Sequence, residues 1–182
     1  LGLLGNTAVQ QPMTSLYAFN VWALVAPFET PDEPYAGIGL ALLVIGLIGS
    51  LIPIRRGNTL AAVLAVSALL AVSLYFLPTR VHERYLFPVL ALLVPFVAVR
   101  LRLLVPFVVL SVVYALTLVY TLVVIAGLDA PFAEQLVSDA GLWVLALSLM
   151  GASLWFVVEL LVGPPSLEAD AIAATLGPAP DP

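Results

Sequence analysis

The sequence predicts an all-α, polytopic transmembrane helix bundle with about five membrane spans. Of its 182 residues, 63% are hydrophobic and only 9% are charged, and the mean hydropathy is +1.16. These values lie far outside the range that soluble globular domains occupy. The apolar segments show no alternation of period two, and an open sheet edge has no hydrogen-bond partners in lipid, so the spans are expected to be helices.

The charge and the cysteine content exclude several classes of function. All 6 basic residues are arginine and the net charge is -5, so the chain lacks the basic surface that binds nucleic acid. It contains no cysteine, which excludes a disulfide framework, a thiolate nucleophile and a cysteine metal site. Its single histidine is too few for a histidine metal site. No metal site and no certain cofactor are predicted, and the use of a divalent cation is left open.

Five apolar segments are candidates for the spans, because a helix needs roughly 20 apolar residues to cross a hydrocarbon core of about 30 Å. The third segment is short for a straight span, so it is expected to recruit part of the charged stretch that precedes it. The predicted spans are residues 35–54, 59–77, 85–99, 103–127 and 140–163.

The positions of the arginines predict the orientation. Arg55 and Arg56 lie between the first two spans, and Arg100 and Arg102 lie between the third and the fourth, which marks both turns as cytoplasmic. The last segment is rich in proline and alanine and is expected to be disordered. The predicted regions are an outer segment 1–34 with an interfacial or re-entrant helix, the bundle 35–163 with an outer turn 78–88, and a cytoplasmic tail 164–182.

The stretch LPTRVHERYLFP, residues 77–88, concentrates charge on the predicted outer side. It contains Arg80, His82, Glu83 and Arg84, and arginines on that side run against the usual bias of membrane proteins. If the stretch is helical from its threonine onward, the two arginines share a face, Glu83 can pair with Arg80, and Pro88 bends the helix. Ionisable groups at membrane depth are usually functional, and such a patch can bind an anion. The alternative is an interfacial anchor whose arginines reach lipid phosphates.

The run TRVHERYLFPVLALL resembles a motif of bacterial GT-C membrane glycosyltransferases, the relatives of the eukaryotic GPI mannosyltransferase II. In those proteins the motif usually starts Met-His-Glu-Arg-Tyr and ends in proline, and a His-Glu-Lys version is similar in dolichyl-phosphate-glucose glucosyltransferases. Upstream, SLYAFNVWALV resembles the Asn-Ala-Phe-Asn-Leu-Trp segment of the same family. The departures are Val81, where methionine is common, and Tyr17, where the first asparagine would lie.

The resemblance implies a GT-C-like fold and an enzyme that moves a sugar, a hexose such as mannose, from a polyprenyl-phosphate-sugar donor to a lipid-linked or glycan acceptor. The active face would be extracytoplasmic, in a membrane that we expect to be a prokaryotic plasma membrane. Guanidinium groups suit the charge of a departing phosphate, and a lone histidine can donate to it or shuttle a proton. The candidates are Arg80 and Arg84 for binding the donor phosphate, His82 and Glu83 for catalysis, and Tyr85, Asn20 and Trp22 for lining the substrate.

The same resemblance leaves the general base unassigned. Relatives place it, usually as an aspartate, in the first external loop, and the chain is expected to be the carboxy-terminal portion of such an enzyme, without that loop. Asp32 and Glu33 are acidic and external, but they belong to a different loop and are not given this role.

Two other classes of function compete with the enzyme. A transporter or flippase-like protein for a lipid-linked or polar solute predicts charges near the middle of the membrane and broken spans in matched halves. A structural subunit leaves the charged stretch unexplained. For Asn20 and Trp22 the alternative is membership of the aromatic belt at the membrane interface, and Glu159 is expected to be an interfacial carboxylate.

Overall fold

The computed structural model describes residues 12–57, 59–128 and 131–162, and shows apolar helices with irregular chain packed on one end of the bundle. Three helical stretches are long and apolar enough to cross a membrane, Ala36–Arg55, Leu101–Ala126 and Ala140–Val162, and the apolar helix Leu60–Phe76 is shorter. The helical class predicted from composition is therefore confirmed. The predicted tail and the first 11 residues lie outside the described residues.

Each predicted span coincides with helix in the structure. Two very short strands, which the sequence did not predict, are β1 (Ser15–Leu16) and β2 (Val81–His82), and 3-10 turns cover Glu83–Leu86 and Leu101–Leu103. The helices are α1 (Val21–Val25), α2 (Ala36–Ser50), α3 (Ile52–Arg56), α4 (Leu60–Phe76), α5 (Phe87–Val99), α6 (Leu104–Ala126), α7 (Pro131–Val137) and α8 (Asp139–Val162).

Local sequence signals set several helix boundaries. Thr59 accepts a hydrogen bond from the backbone N–H of Ala62 and so caps the start of α4. Gly127 ends α6 in the left-handed conformation with φ of 62°, which glycine adopts without a steric penalty. Pro88 lies in the first turn of α5, where a proline is tolerated because that backbone N–H has no partner within the helix. Pro88 thus lies at the start of α5 and does not interrupt an α-helix, because the stretch before it, Glu83–Leu86, is a 3-10 turn.

Helix α4 is the centre of the bundle and packs against α2, α5 and α8. Half of its buried side chains are alanine or serine, which allows neighbouring backbones to approach closely. Helix α2 approaches through two glycines. A Cβ on Gly39 would lie 3.0 Å from the backbone nitrogen of Thr79, and one on Gly46 would clash with the side chains of Ser73 and Leu77.

The two ends of the bundle carry different groups. At one end Arg100 and Arg102 both donate to the carboxylate of Glu159 on α8, at 3.3 and 2.5 Å. Glu159 is therefore neutralised by the arginines of the predicted cytoplasmic turn. The opposite end carries residues 12–35, which we call the cap, and residues 77–86, which we call the charged turn.

We expect Gly46→Val to destabilise the bundle by about 1–3 kcal/mol, because its branched side chain would overpack the α2–α4 contact. Gly49→Val is the matched control in the same helix, since a Cβ at Gly49 has nothing within 4 Å. Thermal unfolding of both variants in lipid nanodiscs measures the difference. Equal melting temperatures for the two variants would contradict the close approach at Gly46.

Candidate functional site

The charged turn is extended at its centre, where it pairs with the cap. Strands β1 and β2 are parallel, with Ser15 opposite Val81 and Leu16 opposite His82. The backbone N–H of Arg80 donates to the carbonyl of Met13 at 3.0 Å. The predicted helix from Thr79, with both arginines on one face, is therefore wrong, because the cap supplies a strand partner from a distant part of the chain.

Asp32 and Arg80 form the ion pair that holds the charged turn on the cap. The carboxylate of Asp32 is fully buried and accepts hydrogen bonds from Nε and Nη2 of Arg80, at 2.8 and 3.2 Å, and from the Thr79 hydroxyl at 2.7 Å. Burial by itself would raise the pKa of Asp32, but these hydrogen bonds outweigh it and lower the pKa. The predicted pairing of Arg80 with Glu83 is wrong, since Arg80 pairs with Asp32.

Glu83 is a buried carboxylate that accepts no hydrogen bond from any side chain or backbone group in the described ranges. The residue is only 8% exposed, and Nδ1 of His82 lies 4.0 Å from the carboxylate. The Glu83 carboxylate oxygens are not among the buried polar atoms that lack a partner, so the group reaches the surface, where water or a ligand can donate to it. A hydroxyl or ammonium group on a ligand would be a suitable donor.

His82 lies between Glu83 and the ring of Tyr85, which it contacts edge-on at a centroid distance of 5.6 Å. Partial burial and the nearby charge of Arg84 lower the pKa of His82, while Glu83 opposes the shift. The imidazole is therefore neutral at pH 7, with one nitrogen that donates and one that accepts a hydrogen bond.

Arg84 and Tyr85 are both exposed, and the guanidinium of Arg84 lies 5.9 Å from the Tyr85 ring. Beside them is a pocket of about 430 Å³, which we call the arginine pocket. Its walls are mainly apolar and its charged group is Arg80. The lining residues are Ala71, Leu74, Pro78, Thr79, Arg80, Val81, Tyr85 and Pro88.

Asn20 and Trp22 belong to the cap and fasten it to the end of α4. The Asn20 side chain accepts from the Trp22 N–H at 3.1 Å and donates to the carbonyl of Tyr75 at 3.2 Å. The indole N–H of Trp22 donates to the carbonyl of Leu77 at 3.0 Å. Of the predicted candidates only Arg80 and Tyr85 line the arginine pocket, while His82, Glu83 and Arg84 are their neighbours in the charged turn and Asn20 and Trp22 are structural.

Strained backbone at this end is a signal that sequence reasoning missed. Tyr17, Glu29 and Arg80 have φ of 59°, 63° and 64°, and all three lie in the cap or the charged turn. The left-handed region is unfavourable for such residues, and strain of this kind often accompanies functional sites. The Tyr17 hydroxyl donates to Glu29 at 2.6 Å, and this bond, with some burial, raises the pKa of Tyr17 to about 12.

Comparisons of the chain with protein-family models, with curated proteins and with solved structures found no significant match. Function must therefore be argued from the geometry of this end of the bundle. Within the ranges that the structure describes, no three His, Asp or Glu side chains converge as metal ligands would. The geometry instead provides an apolar pocket lined by Arg80 and Tyr85, with His82, Glu83 and Arg84 in the same turn of chain.

We expect Asp32→Asn and Arg80→Gln to be coupled in a double-mutant cycle by about 1–3 kcal/mol. The coupling should stay below the roughly 3–5 kcal/mol typical of breaking a fully buried pair, because the Arg80 side chain is 46% exposed. Thermal unfolding in nanodiscs measures this coupling free energy. Additive effects of the two substitutions would show that the pair does not hold the turn.

We expect the stability of the protein to fall as pH drops below about 6.5, the usual pKa of histidine. The pKa of His82 is lowered in the folded state, so below that pH the unfolded chain binds a proton that the folded chain resists. This loss of stability continues until the pH falls below the pKa of His82 in the folded protein. Melting temperatures from pH 8 to pH 5 should show this slope in the wild type and a flatter one in His82→Gln. Identical slopes for the wild type and His82→Gln would contradict this role of His82.

Proposed function

We propose that this chain forms the donor-binding part of a membrane glycosyltransferase that moves a hexose from a polyprenyl-phosphate-sugar donor to a lipid-linked or glycan acceptor. The observation that carries the proposal is the position of the charged turn beside the arginine pocket, at one end of membrane-sized helices. A polyprenyl phosphate combines an apolar chain with an anionic head. The apolar walls of the pocket suit the chain, and Arg80 in its lining, with Arg84 near the ring of Tyr85, suits the phosphate.

The proposal includes five crossings of a prokaryotic plasma membrane. Helix α4 has 17 residues, which corresponds to about 26 Å, and α5 with its preceding 3-10 turn extends about 28 Å. Both values are close to the roughly 30 Å of a hydrocarbon core. The excess of arginine at the Arg100 end then places the cap and the charged turn on the outer side.

Arg84 is the better candidate for the direct phosphate ligand. It is exposed, and it forms no salt bridge with a carboxylate in the described part of the chain. Arg80, whose Nε and Nη2 donate to Asp32, supplies positive charge and holds the turn in place. An arginine with its fork of donors available can bind two phosphate oxygens at once, which an arginine committed to a carboxylate does less well.

His82 and Glu83 complete the proposed site. Sugar transfer breaks the bond between the anomeric carbon and the phosphate oxygen, so negative charge develops on the departing phosphate. A neutral His82 can donate a hydrogen bond to that phosphate. The Glu83 carboxylate, which lacks a donor in the described residues, can accept a hydrogen bond from a hydroxyl of the donor sugar. We assign the general base to neither residue.

The transporter alternative receives less support from the charge distribution. In the described ranges the ionisable Arg, His, Asp and Glu side chains lie near the two ends of the bundle, as in the Glu159 cluster and the charged turn. A polar solute crossing the membrane would need such groups near the middle of the spans. A reaction on a lipid head group instead needs ionisable groups at one surface of the membrane.

We expect Arg84→Ala to lower kcat/KM for sugar transfer about 10- to 100-fold, which corresponds to the roughly 1.5–3 kcal/mol of a hydrogen bond to a charged group. His82→Ala should also lose transfer. The measurement is transfer of radiolabelled sugar from a polyprenyl-phosphate-sugar donor in membranes that carry the protein at matched levels. Arg55→Ala, an exposed arginine away from the charged turn, is the control and should stay within about twofold of wild type.

The outcomes separate the competing functions. Normal transfer by both Arg84→Ala and His82→Ala would make the charged turn an interfacial anchor. A wild type that is inactive with every polyprenyl donor but moves the lipid-linked sugar across the membrane would identify a flippase. An equal loss in the Arg55→Ala control would show that the effect is not specific to the charged turn.

A further inference from the structure

A second pocket of about 400 Å³ opens at the same end of the bundle and shares no lining residue with the arginine pocket. Residues 23–28 of the cap form one wall, and Tyr120 of α6 with Leu142 and Trp143 of α8 form the other. We call it the aromatic pocket. Its volume falls in the range of roughly 300–1,000 Å³ that is usual for small-molecule sites.

The aromatic pocket offers hydrogen-bonding groups without charge. No charged side chain is among its lining residues, so its polar atoms belong to the backbone, the Tyr120 hydroxyl and the indole N–H of Trp143. Helix α1 ends at Val25, and the last carbonyl groups of a helix have no partner within it. The same wall therefore presents hydrogen-bond acceptors to whatever occupies the pocket.

Three aromatic side chains complete the lining. The rings of Phe28 and Tyr120 are in contact, with centroids 6.4 Å apart, and Trp143 is 50% exposed. Each of the three rings provides a large apolar face. Tyr120 and Trp143 add a polar group that can form a hydrogen bond, the hydroxyl in Tyr120 and the indole N–H in Trp143. A ligand that matches them has an apolar face and several hydroxyl groups.

We propose that the aromatic pocket binds a neutral saccharide. An anion is disfavoured because no cationic side chain lines the pocket and because the carboxyl end of α1 carries partial negative charge. A purely apolar ligand would leave the backbone groups without partners. A sugar ring is uncharged, and it can pair with the backbone groups. Its C–H face packs on an aromatic ring while its hydroxyl groups donate hydrogen bonds to carbonyl oxygens.

Tyr17 connects the aromatic pocket to the charged turn. Its ring contacts that of Tyr120 with centroids 6.0 Å apart, and its backbone pairs with His82. A saccharide in the aromatic pocket would thus lie next to the proposed donor site. The role of this saccharide as the sugar acceptor rests on the proposed function, whereas the affinity of the pocket for it does not.

Saturation-transfer NMR tests the binding directly, with the full chain in nanodiscs, no donor present, and methyl α-mannopyranoside and methyl α-glucopyranoside as probes. We expect saturable binding of at least one probe and a Kd at least about fivefold weaker in Trp143→Ala. Fivefold corresponds to roughly 1 kcal/mol, a typical value for a single aromatic contact. Trp155→Ala is the matched control, because Trp155 lies later in α8 and is 48% exposed, and it should bind as wild type does.

A second variant, Leu142→Phe, fills the pocket without removing Trp143 and should weaken binding as well. Absence of saturable binding by both probes, or equal weakening in the Trp143 and Trp155 variants, would overturn the proposal. Binding of choline with no binding of either glycoside would overturn it too and would show an ammonium site. Saccharide binding that persists while transfer is absent would refute the proposed function alone, and the converse result would refute this inference alone.

Discussion

The ion pair between Asp32 and Arg80 is the constraint on which this end of the molecule depends. Asp32 is fully buried just before α2, so its charge requires a counterion, and Arg80, after α4, supplies it. The pair therefore fixes the end of α4 beside the start of α2. Trp22 reinforces the same junction by donating to the carbonyl of Leu77. These contacts hold Val81 and His82 in an extended conformation against the cap, and Glu83, Arg84 and Tyr85 lie in the 3-10 turn that follows directly.

That position explains the chemistry available at the turn. Arg80 is paired with Asp32, which leaves Arg84 as the arginine of the turn that forms no salt bridge with a carboxylate in the described residues, while burial and Arg84 lower the pKa of His82. The left-handed backbone of Tyr17, Glu29 and Arg80 adds strain on the order of 1–3 kcal/mol per residue at this end. Backbone strain of this kind persists only where the surrounding contacts enforce it, and such positions are common at binding sites and active sites. Residues of the cap line one of the two pockets, and residues of the charged turn line the other.

The sequence predicted the features that depend on local composition. Apolar segments located the helices α2, α4, α5, α6 and α8 but not α7, and the charge pattern singled out the turn that contains Arg84. Contacts between distant residues were not predictable in the same way. Nothing near Asp32 in the sequence indicates that its partner is Arg80, 48 positions later, and a helical spacing rule wrongly gave that arginine to Glu83. Asn20 fits a recognisable motif, yet its observed hydrogen bonds, to the Trp22 N–H and the Tyr75 carbonyl, cap α1 and join it to α4.

The measurement that tests the central claim most directly is the sidedness of single cysteines, since the natural chain contains none. Cysteines at Glu33, Tyr85, Arg55 and Arg102 would be labelled with a membrane-impermeant maleimide in intact and in permeabilised cells. If the Asp32–Arg80 pair joins two segments on the outer side of five crossings, the first two positions react in intact cells and the last two only after permeabilisation. If only the three longest helices cross, position 85 would react from the same side as position 55, and that result would contradict the account.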